Sequence, residues 1–154
     1  MFARRVKICA LLFLATTFCA AVPSATLRIK KVLPHLIDAK DRNSISPSLF
    51  ERDAYQIYLR THPGECAGIR FDVLWSGSSR DRDLRLRVET RGAQNDKIHL
   101  EVLESAVRKA GWFNTWSSVT LRDEAYKNFG ELVAWRATLW DGDKKLAEEK
   151  SFLW

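Results

Sequence analysis

No intramolecular disulfide is available to this chain in its expected mature form. Of its three cysteines, Cys9 and Cys19 fall in an N-terminal stretch that reads as a removable leader, and Cys66 is left alone. In the turn-rich "THPGECAG" that thiol is either a half-buried inert group or one half of a bridge making a dimer through Cys66. Catalytic motifs are equally scarce. The three histidines, His35, His62 and His99, lie far apart, and none has a partner at metal-ligand spacing. The sequence has no CxxC, no His-x-x-x-His, no phosphate loop and no G-x-S-x-G. "DGD" at 141–143 begins like a calcium loop, but "KK" follows it, so it reads as a hairpin turn. No repeat at solenoid or propeller spacing and no low-complexity linker interrupts the chain. The reading implies no cofactor, no metal and no catalytic residue.

What is present begins with a leader. "MFARRVK" is positive, with Arg4, Arg5 and Lys7, and "ICALLFLATTFCAA" is apolar but shorter than the roughly 20 residues that span a bilayer. Residues 1–21 therefore read as a signal peptide. Cleavage after Ala21 leaves small side chains at the two positions that want them, and cleavage at 24/25 is the alternative. Phe18 directly before Cys19 argues against a lipid anchor. The expected location is secreted or periplasmic, with no membrane span after cleavage. The leader holds three of the 25 basic side chains and none of the 19 acidic ones, so its removal lowers the net charge from +6 to +3. That weak excess excludes a nucleic-acid partner, which needs a concentrated basic surface. Residues 26–154 are the length of one ordinary domain.

Apart from one segment, hydrophobic periodicity in this domain is two. "LRIKKVL" (27–33) reads as a strand that Pro34 ends or confines to an edge. "SPSLFERDAYQIYLR" changes period: Phe50, Ala54, Ile57 and Tyr58 share one helical face, expected to be the core face. Ser48 with Glu51 forms a candidate capping box, with Ser46 before Pro47 as the alternative start, and His62-Pro63-Gly64 stops the helix. Then "GIRFDVLW" aligns Ile69, Phe71, Val73 and Trp75, and "LRLRVETR" aligns Leu84, Leu86 and Val88 opposite Arg85, Arg87, Glu89 and Arg91. "KIHLEVLE" is expected to turn Ile98, Leu100 and Val102 inward, and "WFNTWSSVTL" is a further strand. "RDEAYKNFG" reads as a loop or a single helical turn. In the last segment, a hairpin about Gly142-Asp143 sets Leu139 against Leu146, Arg136 against Glu149 and Val133 against Phe152. Its expected core face runs from Val133 to Phe152 and Trp154. Glu148 and Lys150 interrupt that face, which a bulge or an edge position would explain.

Short strands with even punctuation and wet outer faces predict a mainly β fold: an antiparallel β-sandwich with one short helix between the first and second strands. With about seven strands, a core tryptophan on an early strand (Trp75) and no required disulfide, residues 27–154 resemble immunoglobulin-like or fibronectin-III-like sandwiches in architecture. No family motif can be laid on individual residues.

Two surface features suggest binding. The Arg85, Arg87 and Arg91 phase, extended by Arg80 and Arg82, suits an acidic partner or an anionic glycan, although Asp81, Asp83 and Glu89 lie in the same stretch. The six tryptophans exceed what the core phases absorb: Trp140 is out of phase, and Trp112 and Phe113 take opposite phases, with Trp116 matching Trp112. The first reading is an exported, non-enzymatic module that binds a protein partner. A carbohydrate-binding module using exposed tryptophans, and a small enzyme using an unrecognised pair of carboxylates, are the alternatives. N-terminal sequencing of the exported protein should return Val22 or Ala25; a start at Phe2 or Ala3 would remove the leader reading.

Overall fold

The computed structural model describes residues 27–77, 83–107 and 114–154. The expected leader and its cleavage sites lie outside the described residues. Within the described residues, seven strands form two antiparallel sheets. The first contains β1 (Arg28–Asp38), β2 (Cys66–Ser76) and β5 (Thr115–Arg122) in the order β1-β2-β5. The second contains β3 (Leu84–Gln94), β4 (Lys97–Ala106), β6 (Glu131–Asp141) and β7 (Lys144–Lys150) in the order β4-β3-β6-β7. One apolar cluster joins them. Phe71, Val73 and Trp75 enter it from β2, Leu86 and Val88 from β3, and Ala137 and Leu139 from β6, all without solvent contact. Trp75 satisfies its ring nitrogen by donating to Ser117 Oγ at 3.0 Å. Among the described residues no helix is long and apolar enough to cross a membrane.

β1 runs through Pro34 to Asp38 instead of stopping. It is an edge strand, and an edge tolerates the missing N–H. Helix α1 (Leu49–Thr61) covers that edge, with a face that the hydrophobic pattern did not select. Phe50 is 81% and Ile57 61% exposed, whereas Leu59 is buried, and the inward row is Arg52, Tyr55, Gln56 and Leu59. The reason is chemical. An unpaired strand edge offers amides and carbonyls, so the docking side of the helix must be polar. The Gln56 side chain accepts from Leu36 N–H at 2.8 Å and donates to Leu36 O at 2.9 Å and to Asn43 O at 2.8 Å. Tyr55 Oη donates to Asp38 Oδ2 at 2.8 Å, and the Arg42 and Lys40 amides donate to Asp38 Oδ1. Burial would raise the Asp38 pKa, but these donors and the Arg42 guanidinium together hold it well below the usual carboxylate range. Ser48 stands at the N-cap without a side-chain capping bond, while Ser46 Oγ accepts from the Ser48 amide at 3.1 Å, ahead of the first helical residue, Leu49.

β4 also presents the opposite face from the one expected. Asn95 and Asp96 form a two-residue turn with φ of 51° and 59°, which sets Gln94 against Lys97. Ile98 then faces Ala93, Leu100 faces Arg91 and Val102 faces Glu89, all on the outer side. A second helix, α2 (Asp123–Phe129), stands where a loop or a single turn was expected. Its Phe129 is buried against Gly92, where a Cβ would overlap the Phe129 carbonyl and ring.

The closing hairpin departs from the simple register by one residue. A bulge at Leu146 sets Leu139 against Ala147 and Arg136 against Lys150. It turns Glu148 and Lys150 outward, away from the core. A second irregularity leaves Val133 without a β3 partner and 38% exposed. Phe152 is fully exposed, not a core residue. Trp154 is held by the fold, but on the outer face: after Ser151 pairs with Trp135 the chain turns, and the Trp154 ring lies under Arg91 and Arg136.

Gln56→Ala should therefore lower stability by about 1–3 kcal/mol, because it strips partners from a covered strand edge. Phe50→Ala, on the outward face, should change it by less than about 0.5 kcal/mol. Urea unfolding of both variants measures the contrast, and a larger effect at Phe50 would reverse the assignment of the helix face.

Candidate functional site

Antiparallel partners share a face, so the β3 register assembles the outer face of the four-stranded sheet. Trp140 lies opposite Arg85, Thr138 opposite Arg87, Arg136 opposite Glu89, and Ala134 opposite Arg91. On the other side of β3, Glu104 meets Arg87 and Leu100 meets Arg91. Four of the residues singled out from sequence, Arg85, Arg87, Arg91 and Trp140, thus converge on one surface. Trp116 does not join them: it stands on the outer face of the three-stranded sheet, opposite Leu74 and 51% exposed. Trp112 and Phe113 lie outside the described residues, as do Arg80 and Arg82.

The arginines are held in place by acids, as the mixed charges of the strand suggested. Glu89, with its side chain 18% exposed, accepts from Arg136 Nε at 2.6 Å and from Arg87 Nη2 at 3.2 Å. Glu104 lies 3.6 Å from Arg85 and 3.7 Å from Arg87. Arg91 differs. Its guanidinium carbon lies 4.3 Å from the centre of the Trp154 ring, and that of Arg136 lies 4.9 Å from it. Two cations over one indole fix the aromatic on the sheet, and one of them, Arg136, keeps its bond to Glu89. Trp140 donates from Nε1 to Thr138 Oγ1 at 2.8 Å, and Thr138 Oγ1 in turn donates to Arg87 O.

Between Arg87, Glu89, Arg136, Thr138, Trp140, Lys145 and Glu148 lies a shallow hollow of about 270 Å³. Lys145 donates to Glu148 at 2.7 Å, and this bond is the main cause that lowers the Glu148 pKa. The surface is a shaped, charged and partly aromatic wall, suited to docking. Arg136 and Trp154 escaped the sequence reading because Arg136 was paired there with Glu149 and Trp154 was assigned to the core. The alternation of the last strand shows which residues point outward only once the Leu146 bulge is known.

Two other clusters carry titratable groups. On the outer side of the three-stranded sheet, Asp72 accepts from Ser118 Oγ at 2.6 Å and from Arg70 Nε and Nη2 at 3.2 and 3.1 Å, and lies 3.8 Å from His35 Nε2. The carboxylate stands between serine and histidine. Activating a serine requires the histidine beside it and the acid behind, so this order does not prepare a nucleophile. At one end of the molecule, a hollow of about 910 Å³ opens between α1 and α2. Leu36, Leu59, Ile69 and Leu132 line it, along with Cys66 and Tyr126, and Glu131 is its one carboxylate. The half-buried Cys66 thiol sits 3.1 Å from Tyr126 Oη, and burial pushes the tyrosine pKa up. Among the described residues, no three His, Cys, Asp or Glu side chains are grouped as metal ligands.

No protein family matches the chain, and no curated protein or solved structure is detectably similar to it.

His35 generates a pH dependence. Burial lowers its pKa below 6.5; Asp72 and Asp53 oppose the shift, and Arg52 and Arg70 reinforce it. The unfolded chain therefore takes up the proton first as pH falls. The His35 contribution to stability is complete above 6.5 and declines as pH drops toward the folded-state pKa. Relative to His35→Gln, the parent should lose stability as pH falls below the ordinary histidine value of 6.5. Parallel urea melts that show no pH-dependent difference would place His35 in a more solvated setting than described.

Proposed function

We propose that this chain is an exported, non-enzymatic β-sandwich of the immunoglobulin-like, fibronectin-III-like type that docks a protein partner on the outer face of its four-stranded sheet. The observation that carries the reading is the convergence of Arg85, Arg91, Trp140 and Trp154 beside the exposed row Ile98, Leu100 and Val102 on one face. Tryptophan and arginine set among aliphatic side chains are the composition of interface hot spots. Glu89 is held by Arg87 and Arg136 and Glu104 is shared by Arg85 and Arg87, so arginine outnumbers these two acids on the face and a partner with an acidic rim around an aliphatic centre complements it. The strand order supports the fold assignment. A constant-type immunoglobulin domain joins its first, second, fifth and fourth strands in one sheet and its third, sixth and seventh in the other. This chain keeps that order except that the fourth strand has moved to the second sheet. Helix α1 and the place of Trp75 on the second strand are its own departures. Export rests on the charge and apolar pattern of residues 1–21.

A second reading draws on Trp116, whose exposure would let it stack on a sugar ring. Trp140 is half-buried and bonded to Thr138, and the Trp154 ring is already covered by two guanidinium groups, so neither offers Trp116 a companion platform.

The test is capture of a binding protein from native envelope extract on the immobilised mature chain. Capture should survive Trp116→Ala and fall about tenfold or more with Arg85→Glu combined with Arg91→Glu, since reversed charges on the docking face repel an acidic rim. Equal capture by every variant would reject this face. Binding of a soluble glycan that Trp116→Ala abolishes would replace the protein-docking reading with the carbohydrate one.

A further inference from the structure

The strand edges of the molecule are treated unequally. Gln56 closes β1. β7 is seven residues long, bulged and rich in lysine and glutamate, the usual defences of an exposed edge. Among the described residues β4 has no side chain closing its edge and no bulge in its pairing with β3, and its charges, Lys97, Glu101 and Glu104, leave an apolar row at its centre. It is ten residues long, among the described residues no strand pairs with its outer edge, and Ile98, Leu100 and Val102 beside that edge are 60%, 68% and 50% exposed. A strand of this kind is a template for another strand.

We propose that the strand it accepts is β4 of a second copy, running antiparallel about a two-fold axis at Leu100. A two-fold contact requires a segment complementary to itself, and β4 meets that requirement in one register. With the axis at Leu100, Leu100 faces Leu100 and Ile98 faces Val102 of the second copy, so all three apolar side chains are matched. On the other face His99 meets Glu101, a charge-complementary pair when the histidine is protonated. Neighbouring registers lose one or both features. An axis at Glu101 opposes two glutamates and sets Ile98 against Glu104. An axis at His99 pairs Lys97 with Glu101 but sets Val102 against Asp96. The unfavourable contact in the chosen register, Asp96 against Glu104, falls at its ends, where Asp96 belongs to the turn and not the strand. The product is a continuous eight-stranded sheet with a central apolar band. It goes beyond the partner-docking reading, because the contact is made by the backbone edge of β4, although Ile98, Leu100 and Val102 border both surfaces.

Sedimentation velocity on the purified protein tests it, in a Cys66→Ser background that removes any disulfide route to a dimer. A reversible dimer is expected in the micromolar range, weakened about tenfold or more by Leu100→Lys, which opposes two lysines on the axis. Leu100→Cys in the same background should oxidise to a cross-linked dimer, and Glu104→Cys should not. Circular dichroism of each variant checks folding; should Leu100→Lys unfold, Val102→Lys gives the same reading. A protein monomeric at all concentrations, a dimer indifferent to both lysine variants, or cross-linking through Glu104→Cys in place of Leu100→Cys would each overturn the proposal. Leu100 and Val102 also border the docking face, so the two readings are separated by Arg85→Glu combined with Arg91→Glu, which should weaken capture and leave the dimer intact.

Discussion

Every edge strand of a two-sheet protein leaves a row of amides and carbonyls that must find water, a side chain or another strand. Most of what is unusual in this molecule follows from how its edges meet that demand. The chain inserts α1 between β1 and β2, and the helix serves one edge with a glutamine that imitates the backbone of a neighbouring strand. Because this docking is polar, the apolar side of the helix has no place in the core and faces outward, with Phe50 and Ile57 in solvent. An amphipathic helix has thus been mounted with its polar side inward, an arrangement that makes sense only against a strand edge.

The same constraint divides the labour on β3. As an interior strand it is paired on both sides, so its alternation is strict: Leu84, Leu86 and Val88 pack inward while Arg85, Arg87 and Arg91 point out. The candidate face is built on β3 and β6, the two strands of this sheet that are paired on both sides. The hydrogen-bonded glutamate between Arg87 and Arg136 costs desolvation but sets the direction of both guanidinium groups. Trp154 completes the face from the far end of the chain through ring–cation contacts, not through burial in the core.

Sequence periodicity revealed interior strands well and edges poorly. The facing expected for Ile69–Trp75 of β2 and Leu84–Arg91 of β3 holds, since alternation there is imposed by one dry side, although β2 begins earlier, at Cys66, and β3 runs on through Gln94. The β4 apolar phase faces outward because the two-residue turn at Asn95-Asp96 decides which side it takes, and hydrophobicity does not. The α1 face failed for a different reason: the pattern reports which side is apolar, not whether the docking surface is apolar. The arginine row and Trp140 were legible as outward residues. Arg136 shares the outward phase of Trp140, but the simple register pairs it with Glu149 and assigns Trp154 to the core, because a single bulge changes which residues of β7 oppose β6.

That bulge has an evolutionary corollary. Leu146 acts as a phase shifter: upstream of it the hairpin obeys one alternation, and downstream the opposite one. Deleting Leu146 would remove the extra residue and leave a regular ladder, with Lys145 still opposite Trp140, Ala147 opposite Leu139 and Glu148 opposite Thr138. The segment can therefore lose that one residue without changing the side any other residue faces, whereas an added residue has no such slack to take up. Among descendants of this sequence, the spacing between Gly142 and Ser151 should shorten by one more readily than it lengthens.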